Sequence, residues 1–549
     1  MIIGLDGATF DLILPFIQAG ELPNMKYLMA HGAWGELTST MPPVTAAAWP
    51  SFMTGENPGK HGILKFVDSG QEAQSGNDTK RMVSTKSYAG RTFFDALALE
   101  GKKCGAITIP VTYPPWDING VMISGYPSPD NEKIYSMSGD LQINIDEPLN
   151  FSAEYYQTAS EEQILKDCIY RDRLRADLAF DLLDQHAFDC FAIVLGGIDR
   201  ACHDYWKYFD SNYPGVQKDK RERFKNAILE NYQLGDEQIG RFLELYGETA
   251  NLFVISDHGS GRHPFEAFNA NVWLRHTNWL NLSARKALPR ELARKIFHLF
   301  LPLITPGNRK SPPVLNKMRN KKNLNLTPGR RFNKAIDWKR TKAFYYPLVY
   351  PVDGIMINLE GRQANGVVHP GKEYHQVVYD IIDQLLEFKN PRTNEPVVEK
   401  AIHREDVYSG PYLDRFPDII YVLNPRYVGA LEILGSPIMK VPKFRLSQKS
   451  GLHLMNGVFI SHGPDIEQGR VEGANIIDVA PTILYCSGQP IPENMDGKVL
   501  VNIFDKALLQ KQPILKCTFR GSSMYKDFDF DSQEKEQMEK KLRSLGYID

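Results

Sequence analysis

The sequence predicts an α/β fold: a mostly parallel central sheet with helices on both faces. Three observations predict it. Short apolar runs bounded by turn residues alternate with longer amphipathic stretches. The runs are almost continuously hydrophobic, as strands are when helices cover both faces of a sheet. Acidic residues stand at or just past the ends of three runs, where parallel sheets bind their ligands.

In chain order, "MIIGL", "CGAITIP", "CFAIVLG", "LFVIS", "DIIYVL" and "GVFIS" read as buried strands. "RTFFDALALEGKK", "EEQILKDCIYRDRLRADLAFDLLDQH", "FKNAILENYQLGDEQIGRFLELYG" and "EYHQVVYDIIDQLLEF" carry apolar residues at helical spacing. The segment from Arg285 to Lys334 breaks the pattern. It holds fourteen Lys/Arg against one acidic residue, Glu291, in a chain whose formal net charge is -2. It is rich in Pro, Asn and Gly and contains "IFHLFLPLI" (Ile296 to Ile304), too short to span a bilayer. The expected division is therefore a discontinuous core at 1–272 and 343–505. An inserted basic cap or loop would occupy 273–342, and a tail 506–549. The cap reads first as a solvated surface excursion, with an anion-steering lid or a membrane-surface contact as the alternatives. In the tail, "DSQEKEQMEKKLRSLGYID" reads as a charged helix, with Asp531 or Ser532 as its N-cap and Gly546 as its stop.

Composition bounds the rest. Of 549 residues, 42% are hydrophobic and 24% charged, the balance of a globular protein with ample core. The six cysteines show no CxxC spacing, so buried free thiols are expected. Cys202, beside His203, has a metal thiolate as its alternative reading. Apolar strand residues follow Met1 at once, which leads to the expectation of a cytoplasmic protein, peripheral to a membrane if the basic segment binds one. Aromatic residues are sparse within that segment, so nucleic acid is not an expected partner. Oligomeric state is not legible.

The candidate chemistry lies at the strand ends. Asp6 follows the first run; alone, it would more often cap a turn. Asp199 and His203 are four apart, so on a helix both reach one cation. Asp257 and His258 are adjacent, and two polar neighbours facing one site need an irregular strand end, which Gly259 and Gly261 would allow. His453 sits in "SGLHLMNG", read as a loop. Thr45, in "VTAAAW", reads as an N-cap whose helix would expose free amides near Ala46. Pro50 argues against that helix continuing past its first turn. Three carboxylates, three imidazoles and a hydroxyl are what two divalent metals and a nucleophile require, which points to a phosphate-ester hydrolase. Trp49, Lys65, Arg200 and Asn271 are the neighbouring residues that could face a substrate.

From Thr45 to Gly62, a Thr-Gly pair nine residues after the Thr and then "HGI" resemble the type I phosphodiesterase/nucleotide pyrophosphatase branch of the alkaline phosphatase superfamily. "GGIDRACH", "SDHG" and a late His453 follow in the order that family uses, over about residues 1–500. The resemblance implies an alkaline-phosphatase-like fold and a two-zinc site, with manganese as the alternative metal. Asp199, His203 and His453 would hold one metal. Asp6, Asp257 and His258 would hold the other, with Thr45 Oγ on it as nucleophile. His61 belongs to the loop motif but not to the ligand set.

Two departures stand out. Ala46, Ala47 and Ala48 replace the "FPN" that follows the Thr in nucleotide-specific members, which puts nucleotide specificity in doubt. The sulfatase signal C/S-x-P-x-R is absent. The expected substrate is a small phosphate ester. The rival readings are a phosphomutase of the same superfamily and a membrane-surface protein acting on phospholipid-like diesters.

Overall fold

The computed structural model describes residues 1–69, 80–129, 135–139, 158–283, 335–519 and 531–544, with single positions at 141, 143, 149, 155 and 521. The basic segment Arg285 to Lys334 and Gly546 lie outside the described residues. Fourteen strands carry the argument. These are β1 (Ile2–Leu5), β2 (Ala33–Thr38), β3 (Cys104–Ile109), β4 (Gly120–Ser124), β5 (Tyr135–Met137), β6 (Cys190–Leu195) and β7 (Leu252–Ile255). They continue with β8 (Gly259–Arg262), β9 (Ala343–Tyr346), β10 (Val352–Ile357), β11 (Val398–His403), β12 (Ile419–Leu423), β13 (Gly451–Leu454) and β14 (Asn456–His462). The helices are α1 (Thr45–Thr54), α2 (Pro58–His61), α3 (Phe93–Leu99), α4 (Glu161–Gln185) and α5 (Gly197–Phe209). After them come α6 (Ala227–Tyr246), α7 (Lys372–Glu387), α8 (Val479–Cys486) and α9 (Ser532–Ser544).

The central sheet runs β2-β14-β7-β1-β6-β3-β4-β5. Its middle, β7 to β4, is parallel throughout. Side chains of successive residues point to opposite faces, and both faces are covered. Ile2, Val194, Phe253 and Phe459 join one core with Trp49 and Phe52 of α1, Phe93 of α3 and Leu484 of α8. Ile3, Ile193, Val254 and Val458 join the other with Ala176 of α4, Ile198 and Tyr205 of α5 and Tyr232 of α6. The predicted α/β class with a mostly parallel sheet is the one observed.

Two predicted strands differ in their partners. β14 ("GVFIS") enters the sheet antiparallel, between β2 and β7. β12 ("DIIYVL") lies in a separate four-stranded antiparallel sheet, β9-β10-β12-β11. A fully buried strand reads the same whichever way its neighbours run, so hydrophobicity alone could not separate these cases. The four predicted helices form as α3, α4, α6 and α7. Thr92 and Asp95 close a capping box on α3, and the Ser160 side chain accepts the Gln163 amide at the start of α4. In α9, Asp531 Oδ1 accepts the Gln533 and Glu534 amides at 2.7 and 2.8 Å. Met538 and Leu542, one turn apart, dock that helix on the α1 face of the sheet. On either side of the basic segment, Leu282 pairs with Ile336. Among the described residues no helix is long and apolar enough to cross a membrane.

His61 is structural. Its Nδ1 accepts the Ile63 amide (3.2 Å), so Nε2 carries the proton and donates to Ser51 Oγ of α1 (2.9 Å). This bond ties the end of α2 to the helix bearing Thr45. Burial, with Arg91 nearby, lowers the His61 pKa to about 3. Below about pH 6.5 the unfolded chain takes up a proton that the folded chain does not, so stability is full above that pH and lost as it falls toward 3. The slope is about 1.4 kcal/mol per pH unit for one group. Urea midpoints measured from pH 7 to pH 5 should fall less steeply for His61→Gln than for the parent; equal slopes would refute the assignment.

Candidate metal centre

Three neighbouring central strands deliver the acidic residues. β1, β6 and β7 lie side by side and parallel, with Leu5 in register with Leu195 and Gly4 with Ile255. Asp6 follows β1 directly, and its amide bonds to Leu195 O (3.1 Å). Asp257 follows β7 across a bend. Asp199 sits in the first turn of α5, which leaves β6, and His203 lies one turn on, as its i, i+4 spacing predicts. His258 precedes β8, and His453 lies across from it on β13. The predicted loop at His453 is thus a strand: the β8–β13 ladder pairs Ser260 with His453 across a span no local pattern encodes.

Gly259 and Gly261 are also needed for a different reason than expected. Neither has a left-handed φ. A Cβ on Gly259 would lie 2.2 Å from Asn456 O, and one on Gly261 2.9 Å from Leu454 Cδ1. They allow the β8 backbone to lie against the chain at 454–456. At Gly7 conformation does matter: its φ is +74°, and its amide bonds to Asp257 Oδ1 (3.3 Å).

Thr45 is the first residue of α1, not its N-cap. Val44 holds the cap position (φ -131°, ψ 131°), and its carbonyl accepts the Ala47 and Ala48 amides. This frees the Thr45 hydroxyl, which lies 3.2 Å from His258 Nε2. The Thr45 and Ala46 amides have no acceptor within the helix. The helix continues through Pro50 to Thr54, against expectation. Packing holds it there: every residue of α1 is buried, and Trp49 lies against β1 at Gly4, where a Cβ would meet the indole at 2.6 Å. Trp49 Nε1 donates to Asp6 Oδ2 (3.1 Å).

Asp6, Thr45, Asp199, His203, Asp257, His258 and His453 thus meet in one place, none more than 7% exposed. Each imidazole has a fixed tautomer. Nδ1 of His203 bonds to Gly451 O (2.7 Å), that of His258 to Gly259 O (3.1 Å) and that of His453 to Pro43 O (2.8 Å). A carbonyl only accepts, so each Nδ1 carries the proton and each Nε2 presents a lone pair. The Nε2 atoms of His203 and His453 face each other at 3.0 Å. His203 Nε2 and His453 Nε2 lie 3.4 and 3.6 Å from Asp199 Oδ1. His258 Nε2 lies 3.3 Å from Asp257 Oδ2 and 3.7 Å from Asp6 Oδ1. Two triads have ligand atoms close enough for one ion: Asp6, Asp257 and His258, and Asp199, His258 and His453. His258 is within reach of both groups, and His203 adjoins the second.

Lone pairs and carboxylates that face one another in a dry site repel. Asp6 Oδ1 and Asp257 Oδ2 are buried and, among the described residues, take no donor from outside the site. Burial, then the Asp257 and Asp199 charges, hold Asp6 well above the ordinary carboxyl range. Burial, with Asp199, pushes Asp257 up to about 8. Burial, with His258 and His203, holds His453 well below the usual imidazole range. Every one of these shifts favours a neutral form, and a cation among the donors would reverse them all. The residues therefore fit a divalent metal centre.

Of the other candidates, Cys202 is buried and belongs to neither triad. Arg200 pairs with Asp204 (2.8 Å), Lys65 lies over the Tyr346 ring, and Asn271 Oδ1 accepts the Tyr345 amide. Asn271 is thus occupied in the fold. Trp49, a candidate for facing a substrate, is fully buried and holds Asp6 instead, and the Pro43 and Gly451 carbonyls went unseen in the sequence. A Trp four residues after the Thr, on the same helix face, was the one available signal.

The family model for type I phosphodiesterase / nucleotide pyrophosphatase matches residues 1–436. The chain belongs to this family. His453 and β14 lie beyond the matched span, so geometry alone joins them to the site. Among solved structures, the chain is similar to human ectonucleotide pyrophosphatase / phosphodiesterase 5, at 12% identity over 93% of this chain and 98% of that one, with a TM-score of 0.44. A murine form of the same protein matches at 12% identity over 89% and 94%, TM-score 0.41. An inactive murine variant in complex with AMP matches at 12% over 93% and 98%, TM-score 0.44. No curated protein matches in sequence.

Two outcomes follow from this geometry. Stripping divalent cations with EDTA should lower the melting temperature, because the buried carboxylates then face one another unscreened; a temperature unmoved by EDTA and by readdition of Zn²⁺ or Mn²⁺ would count against a metal centre. Trp49→Phe keeps an aromatic ring on α1, shortens its reach toward Gly4 and removes the Asp6 bond. Chelator competition should show metal affinity weakened by roughly tenfold or more.

Proposed function

We propose that the protein is a metal-dependent hydrolase of phosphate esters, a phosphodiesterase or nucleotide pyrophosphatase, working with two divalent cations and Thr45 as nucleophile. The observation that carries this reading is the meeting of three carboxylates, three Nε2 lone pairs and the Thr45 hydroxyl in one buried site. Asp199, His203 and His453 would hold one cation; Asp6, Asp257 and His258 would hold the other. Three neutral imidazoles favour zinc, and three carboxylates keep manganese as the alternative. When bound, the cations supply charge that lowers the pKa of the Thr45 hydroxyl and of water and offsets charge on the phosphoryl oxygens.

The remaining work belongs to the chain. Thr45 Oγ gives up its proton to solvent water and forms a bond to phosphorus while the bond to the leaving oxygen breaks, and the leaving oxygen takes a proton from water. Water then attacks the phosphothreonine, releases the phosphoryl product and restores Thr45. The Thr45 and Ala46 amides are donors for a phosphoryl oxygen at the N-terminus of α1. With Ala46, Ala47 and Ala48 in that turn, no side chain there adds to them, so this reading includes no preference for a nucleotide base.

Bis-p-nitrophenyl phosphate and p-nitrophenyl phosphate, offered to EDTA-stripped protein reloaded with Zn²⁺ or Mn²⁺, test this function. Metal-dependent cleavage preferring the diester is expected. Thr45→Ala should lower kcat by at least a hundredfold with metal content unchanged. Retained turnover would remove Thr45 from the nucleophile role.

A further inference from the structure

α5 carries both Asp199 and His203, and no side chain of its own caps its start: Gly196 is the cap residue. The cap comes from another helix. Asp172 of α4, 4% exposed, accepts the Gly196 amide through Oδ1 (3.2 Å) and the Gly197 amide through Oδ2 (2.7 Å). Arg175, one turn further along α4, holds the same carboxylate (2.6 Å) and is itself held by Leu149 O (2.8 Å). Gly197 has no alternative. A Cβ there would lie 2.6 Å from Asp172 Oδ2 and 2.5 Å from Asn231 Oδ1 of α6. The second glycine of "GGIDRACH" thus has a physical cause, which is room for a carboxylate from 25 residues upstream.

Asp199 lies two residues past this anchor and His203 six. In an α-helix, a slip of one residue turns a side chain by about 100° and moves it about 1.5 Å along the axis. Either change would take both side chains away from His453. A carboxylate at a helix N-terminus also opposes the positive end of the helix dipole, so the anchor is electrostatic as well as geometric. We propose that Asp172 is a positioning residue for one half of the metal centre. It fixes where α5 starts, and so where Asp199 and His203 stand, without touching metal or substrate.

This inference rests on the two-metal reading, and the test separates the two. Metal content and stepwise Zn²⁺ affinity are measured by chelator competition on the full chain, with melting temperature alongside. Parent protein that binds fewer than two ions would overturn the two-metal reading itself. If the parent binds two, Asp172→Ala should weaken one of them by about 10- to 100-fold, the range for residues that orient metal ligands, and leave the other unchanged. Asp172→Asn, which keeps an oxygen for the Gly197 amide but loses the charge and the Arg175 pair, should fall between them. Both affinities at parental values in either variant, even with a lowered melting temperature, would overturn the positioning role. If the alanine variant does not fold, the asparagine variant decides alone.

Discussion

Mutual repulsion among the buried donors is the constraint around which this molecule is organised. Six side chains that would each prefer water or a counter-charge are held within a few ångströms of one another, almost wholly out of solvent. The Asp–His contacts leave the Asp6 and Asp257 carboxylates, and the Nε2 atoms of His203 and His453, still facing their like. The surrounding structure therefore supplies the force. Three parallel strands end side by side, a helix is pinned by its start, and three carbonyls hold three imidazoles by their far nitrogens. The cost of that arrangement in the empty protein is the reason the site would bind cations tightly.

The supporting shell is mostly backbone. Gly451, Gly259 and Pro43 contribute carbonyls, Gly7 contributes an amide, and Trp49 and Asp172 are among the side chains that take part. A backbone group cannot be altered by exchanging one residue type for another, which makes the imidazole orientations a property of the fold. Where side chains do take part, glycines give them room: Gly4 for the Trp49 indole, Gly197 for the Asp172 carboxylate. Several glycines near the site thus serve close approach between elements rather than turning.

Much of this could be read in the sequence because parallel sheets concentrate function at predictable points. Asp6, Asp199 and Asp257 were visible as acids ending apolar runs, and His203 as the helical partner of Asp199. What was hidden depends on contacts between distant residues. Whether Thr45 caps its helix or begins it turns on where Val44 lies. That α1 survives Pro50 follows from the packing of Trp49 and its neighbours against the sheet. The strand at His453 exists because β8 pairs with it, and β12 belongs to a second sheet although it reads like its counterparts in the first. Asp172 offered no signal of its own, being one acid among many on a charged helix.

The place of β14 in the sheet has a consequence for how the protein is made. This strand, near residue 460, lies between β2 and β7, so β2 stays apart from the parallel middle of the sheet until most of the chain has left the ribosome. An incomplete chain would expose two unpaired strand edges, the kind of surface that invites association with other chains. His453 arrives three residues before β14, so the strand that links β2 to β7 brings a donor for the site with it. For a growing chain, β2 joins the rest of the sheet at the same stage as His453 reaches the site.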